Sequence, residues 1–185
     1  MSTTLITLGI TGSIAAYKAA DLASQLGKRG YRVQAMMTES AERFITPHTL
    51  QALTKEPVLT QMFDLEQYPH EIRHITLAKE SDLLLIAPAS ANIIAKLAHG
   101  LADDLLSTFA LVMDGTSIML APAMNTRMYQ NPIVQNNIQI LRGYGMQIIE
   151  PKSDLLACGD IGQGALATVD TILAHVDKYL DSKTE

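Results

Sequence analysis

The run Leu83-Leu84-Leu85-Ile86-Ala87, bounded by Asp82 and Pro88, constrains the fold of this chain more than any other stretch. Five consecutive apolar residues show neither the alternation of a half-exposed strand nor the length of a helix. They suit a short strand buried on both faces, the setting of a parallel sheet covered by helices. Pro88 is expected to stop that strand. Ala89, Ser90 and Ala91 follow, with Asn92 just inside a helical pattern that Gly100 closes. Ligands of open α/β sheets settle beyond the carboxyl ends of strands, where loops turn into helices. Small residues there admit a flat ligand against the backbone, and Ser90 and Asn92 add hydrogen-bonding groups. Helix capping by Ser90 accounts for the same residues without a ligand.

The remaining chain repeats the theme. Leu5–Ile10 reads as a strand, Thr11-Gly12-Ser13 as a tight turn, and Ile14 to about Arg29 as a helix ended by Gly30. Backbone N–H groups and the positive end of a helix meet at such a turn, which suits a phosphate. No G-x-G-x-x-G is present, so a mononucleotide fits better than a dinucleotide. Tyr31–Met37 is a second strand, and Thr38 caps a short helix ending near Phe44. Thr38 and Ser40 bring hydroxyls to that strand's carboxyl end, and Phe44 suits either the core or a stacked ring. Thr46-Pro47 starts another helix.

From Lys55 to Glu71 periodicity fails and a long loop is expected. His74 ends it and leads into a helix through Ser81. Histidine titrates near neutrality and is a candidate base if it faces a ligand. Asp103-Asp104 opens a helix to about Val112. Thr116–Leu120 is the next strand, and Ala121-Pro122-Ala123-Met124-Asn125 repeats the Ala-Pro-Ala ending with an amide behind it. Asn125 suits a helix cap, or a carboxylate held through its amide donors. Met146–Glu150 is a last strand. Lys152–Gly164, rich in glycine, reads as a mobile flap carrying the single thiol, Cys158. Thr168 caps a final helix to about Leu180. The order predicts one domain over residues 1–185, an α/β fold with a doubly wound, mostly parallel sheet and helices on both faces.

Composition narrows the function. A net charge of −5 disfavours a nucleic-acid partner, which needs a basic face. No eighteen-residue apolar run is present, so no membrane span is expected, and the N-terminus lacks the positive leader of a secretory signal. One cysteine excludes an intramolecular disulfide and fits a reducing cytoplasm.

Five stretches in order carry a resemblance: Gly12-Ser13-Ile14-Ala15-Ala16-Tyr17-Lys18, His74, Pro88-Ala89-Ser90-Ala91-Asn92, Pro122-Ala123-Met124-Asn125 and Leu156-Ala157-Cys158-Gly159-Asp160. Together they resemble the FMN-dependent cysteine decarboxylases, Rossmann-like flavoproteins, and within them the branch acting on phosphopantothenoylcysteine. The resemblance implies that Gly12, Ser13, Ile14, Thr38, Ser40, Phe44, Ser90, Ala91, Asn92 and Ala123 hold FMN. It implies that His74 is the base, that Asn125 binds the substrate carboxylate, and that Cys158 on the flap donates a proton. Met128 and Ala157 join Asn125 and Cys158 in substrate binding. It further implies a homotrimer or dodecamer, and a separate ligase that joins cysteine to phosphopantothenate, since this chain is expected to lack a fused ligase domain. Tyr129 departs from the tryptophan common at its position, and Ala165-Leu166 departs from the usual flap ending.

Bond chemistry explains the need for a flavin. Loss of CO2 from an N-acyl cysteine leaves a carbanion with no electron sink, unless the side chain is first oxidised to a thioaldehyde. Two rivals stay open at this point: a peptidyl-cysteine decarboxylase of lantibiotic type, and a non-catalytic regulatory subunit of the same fold. A flavin prenyltransferase should lack the pairing of His74 with Asn125, and an NAD-linked reductase lacks its glycine fingerprint.

Overall fold

A computed structural model describes residues 4–62, 73–155 and 161–183. Its centre is a five-stranded parallel sheet in the order β2-β1-β3-β4-β5. The strands are β1 (Leu5–Ile10), β2 (Arg32–Met37), β3 (Leu83–Ala89), β4 (Ile118–Pro122) and β5 (Gln147–Ile148). Every neighbouring pair is parallel. The order reverses between β1 and β3, and there the crevice of a doubly wound sheet opens.

Both sheet faces are apolar, as the Leu83–Ala87 run requires. Leu83, Leu85 and Ala87 join one buried cluster with α1 (Lys18–Lys28), α3 (Pro47–Thr54) and α9 (Val169–Ser182). Leu84 and Ile86 join the opposite cluster. That side is covered by α4 (Arg73–Glu80), α5 (Ala91–His99), α6 (Leu105–Val112), α7 (Thr126–Tyr129) and α8 (Pro132–Gly143). Helix α2 (Glu39–Glu42) is a single turn after β2. No helix among the described residues is long and apolar enough to cross a membrane.

Several boundaries move from their expected places. Residues 14–17 form a 3-10 turn before α1 begins. Pro88 does not stop β3, which runs on to Ala89. The β3–β4 register shifts between Ile86 and Ala89, so the missing proline N–H falls where the ladder is already broken. A 3-10 turn at residues 115–117 takes the start expected for β4. His74 is the second residue of α4, not the end of a loop. Lys152–Gly164 is not irregular throughout: β6 (Lys152–Leu155) and β7 (Ile161–Ala165) pair as an antiparallel hairpin. Residues 156–160, with Ala157 and Cys158, lie outside the described residues, as does the side chain of His74.

Candidate active site

Hydroxyl and backbone groups lace the carboxyl ends of β1, β3 and β4 together. The Thr11 hydroxyl donates to the Pro88 carbonyl at 2.7 Å and accepts the Ser90 N–H at 2.9 Å. The Ala123 N–H donates to the Ala89 carbonyl at 3.0 Å. The Ser13 hydroxyl donates to the Ala123 carbonyl at 3.3 Å and also accepts the Ala15 N–H. Thr11 is buried, so each of its bonds replaces one that water cannot supply. Sequence reading missed this residue, because its partners, near the end of β3 and just past it, lie 77 and 79 positions away.

Above these strand ends is a cavity of about 530 Å3, within the usual range for small-molecule sites. Of the expected flavin-site residues, Gly12, Ser13, Ile14, Phe44, Ser90, Ala91 and Ala123 line it, and of the expected substrate-binding residues, Asn125 and Met128 do. Thr38, Ser40 and Asn92 do not. Thr38 spends its hydroxyl on the Ala41 N–H as the cap of α2. Ser40 lies behind Gly12, where a Cβ on residue 12 would stand 2.5 Å from that of Ser40. Only glycine lets the β1 turn pass this close to α2. Asn92 is exposed on the first turn of α5.

The walls also hold residues that were given no site role from the sequence. Tyr17, Lys18, Met124, Asp154, Gly164, Ala165 and Leu166 are among them. Lys18 and Asp154 carry the charges among the described lining residues, and Asp154 pairs with Lys152 at 2.5 Å. Lys18 makes no ion pair among the described residues; its ammonium stands 5.8 Å from the Tyr17 ring.

Each wall ends in a cap. Ser90 accepts the Ile93 N–H at 3.3 Å and starts α5. Asn125 accepts the Arg127 N–H at 2.8 Å through Oδ1 and starts α7. Capping through Oδ1 assigns any carboxylate recognition to the Nδ2 donors of the same amide. Helix α7 is held from both sides. The Met124 N–H donates to the Gly164 carbonyl at 2.9 Å, and a Cβ on Gly164, whose φ is +150°, would collide with the Met124 carbonyl oxygen.

A small-residue cavity at a β1/β3 switch, floored by a Gly-Ser turn at a helix start, suits a flat group with one phosphate. The donors are hydroxyls, the Asn125 amide, the Lys18 ammonium and backbone N–H groups, and no group of three or more metal-ligating side chains occurs among the described residues. A flavoprotein family model matches residues 1–181. The chain belongs to the flavoprotein family.

A probable phosphopantothenoylcysteine decarboxylase of Streptococcus mutans is 52% identical over 176 residues, which is 95% of this chain and 98% of that one. The coenzyme A biosynthesis bifunctional protein CoaBC of Bacillus subtilis is 44% identical over 97% of this chain, and this chain spans 44% of its length. Among solved structures, a PPC decarboxylase variant complexed with pantothenoylaminoethenethiol aligns with a TM-score of 0.85 and 31% identity, over 97% of this chain and all of that one. The FMN-binding protein AtHal3 aligns with a TM-score of 0.84 and 33% identity over 98% of each chain.

Proposed function

We propose that this protein is an FMN-dependent decarboxylase converting phosphopantothenoylcysteine to 4'-phosphopantetheine in coenzyme A biosynthesis. What carries the reading is that near-complete match to the Streptococcus mutans relative, together with a cavity that gathers the Gly12-Ser13, Ser90-Ala91 and Ala123-Asn125 stretches. Gly12, Ser13, Ile14, Phe44, Ser90, Ala91 and Ala123 hold the flavin, with Thr38, Ser40 and Asn92 completing its site. When bound, FMN would supply the reversible two-electron redox chemistry that loss of CO2 from a cysteine requires.

The chain's own residues position the substrate and move its protons. Asn125 Nδ2 holds the carboxylate that departs, and Met128 packs beside it. His74 takes the thiol proton, because a thiol ordinarily titrating at about 8.5 is little ionised at neutral pH without a base on it. Cys158, beyond β6, returns a proton to the decarboxylated product while Ala157 and the flap exclude water. Lys18 supplies a positive charge to a cavity that must accept anionic ligands.

The reading extends to assembly and place. Ile14, Tyr17 and Met128 line the cavity wall yet are 60%, 61% and 48% exposed, which supports a homotrimer, or trimers built into a dodecamer, closing over the mouth. The enzyme is cytoplasmic, and a phosphopantothenate-cysteine ligase is its partner in the pathway.

Purified protein should show an oxidised-flavin spectrum, release CO2 from phosphopantothenoylcysteine, and bleach when substrate is added without air. Protein that is colourless and cannot be loaded with FMN would overturn the reading. Sedimentation equilibrium tests the trimer, and a monomer under turnover conditions would remove it.

A further inference from the structure

Helix α7 spans four residues, too few to be stable alone, so its neighbours must set its position. Its far end is anchored by Tyr129, which is 5% exposed and belongs to the apolar cluster containing Ile138 and Leu141 of α8. The phenol donates to Glu150 Oε2 at 2.7 Å, just after β5. Arg142, in the last turn of α8, ion-pairs with the other oxygen of the same carboxylate. The Tyr129 carbonyl accepts the Gln135 side-chain amide at 2.5 Å, and the Tyr129 N–H donates to the Asn125 carbonyl at 2.9 Å. Asn125 and Tyr129 are thus the two ends of one helical turn: one faces the cavity and the other the core.

Resting on the function proposed above, the geometry points to Tyr129 and Glu150 as a positioning latch that sets the direction of α7 and so aims the Asn125 amide into the cavity. Neither residue lines the cavity, so the latch acts through Asn125 and not on the substrate. Burial, then the hydrogen bond and charge of Glu150, push the Tyr129 hydroxyl up to about 12, so it remains a donor at any working pH. Glu150 is half exposed, which means that losing the phenol leaves a solvated carboxylate and not a buried unpaired charge.

Tyr129→Phe removes one oxygen and keeps the ring in the core. Since the substrate carboxylate is present in the bound ground state, loosening its partner should raise KM with kcat little changed. The expected rise is about fivefold, what one ordinary hydrogen bond represents, with FMN affinity unaltered. Glu150→Ala should match it, and the double variant should be no worse than either single one. Glu150→Gln keeps an acceptor for the phenol while losing the pairing with Arg142, and should restore a near-wild-type KM. Amide hydrogen exchange across residues 126–131, measured on the FMN-loaded protein without substrate, should quicken in Tyr129→Phe and Glu150→Ala but not in Glu150→Gln. An unchanged KM in Tyr129→Phe, or unchanged exchange in that segment, overturns the latch. A wild-type enzyme that binds FMN but leaves the substrate intact fails the function and not the latch, which hydrogen exchange still decides.

Discussion

Ser90 and Asn125 occupy equivalent places, each capping the helix that follows an Ala-Pro-Ala strand end, yet the two helices are kept in position by different means. Helix α5 has nine residues, buries Ile93, Ile94, Leu97 and Ala98 in the core, and closes on Gly100 in the left-handed conformation. Helix α7 has four residues and buries only Tyr129. One wall of the cavity stands on its own apolar face. The other borrows its place from a hairpin and from a hydrogen bond one turn away. Substitutions within α5 should therefore be felt as stability, and substitutions within α7 as loss of substrate handling.

The strongest test of that contrast is Asn125→Asp. A carboxylate keeps the cap, since aspartate accepts the Arg127 N–H as well as asparagine does and is favoured at a helix start. It replaces the Nδ2 donors with a negative charge facing the substrate carboxylate. kcat/KM should fall roughly 100-fold, the loss of a charge-assisted hydrogen bond with repulsion added, while melting temperature and flavin content hold. Near-wild-type turnover would remove Asn125 from substrate recognition.

Next in size is the hairpin's support of the borrowed wall. Gly164→Ala sets a Cβ against the Met124 carbonyl at a φ that side chains rarely adopt, and backbone oxygen cannot swing aside as a side chain can. A loss of roughly 3 kcal/mol in denaturant unfolding is expected, combining overpacking with backbone strain. Turnover should fall as β7 and the Met124–Thr126 segment part. A destabilisation no larger than that of an exposed helix substitution would show that the hairpin does not bear on α7.

Thr11→Val isolates the lacing beneath both walls. Valine matches the shape but leaves the buried Pro88 carbonyl without its donor and the Ser90 N–H without its acceptor, at a cost of roughly 2 kcal/mol. Flavin affinity should weaken with it, because Ser90 and Ala91 sit on the loosened segment. Flavin titration and thermal unfolding read the two effects together, and a fully stable variant with normal affinity would mean that water replaces the hydroxyl.

Caps were the most legible part of this site in the sequence, because a side-chain oxygen and the N–H groups just after it need only local spacing. Thr38, Ser90, Asn125 and Thr168 all cap helices, as their positions suggest. The β3 apolar run was equally legible, since burial on both faces shows in composition alone. Pro88 misled because the rule for proline assumes an unbroken ladder, and the β3–β4 irregularity arises only when two distant strands meet. In the glycine-rich stretch the hairpin was hidden for a related reason. Gly162 and Gly164 mark close packing, for a Cβ at Gly162 would lie 2.7 Å from the Thr126 side chain. Thr38 and Ser40 drew notice for hydroxyls at a strand end, and the structure adds that Thr38 caps α2 and that the Cβ of Ser40 closely faces Gly12. Nothing in the order of residues marks Thr11 or Glu150, whose meaning lies wholly in partners far along the chain.

The smallest expected effects separate the two walls by pH. At α5, Lys96 pairs with Asp103 and Asp104, each at 2.6 Å. Burial works against the charged form of Asp104, but hydrogen bonds from Lys96 and from the Ser107 N–H and hydroxyl outweigh it and hold the carboxyl below its ordinary value. That stability is complete above the ordinary carboxylate range and is lost as pH falls through the lowered folded-state value. At α7 the sign reverses. Tyr129, raised from 10.0 to about 12 in the folded protein, keeps a proton that the unfolded chain releases, so stability is complete below pH 10 and declines between 10 and about 12. Asp104→Asn should flatten the acid limb of the unfolding curve and spare the alkaline one; Tyr129→Phe should do the opposite. Both variants altering the same limb would mean that the walls are one electrostatic unit, and that the difference in how α5 and α7 are supported ends at their apolar contacts.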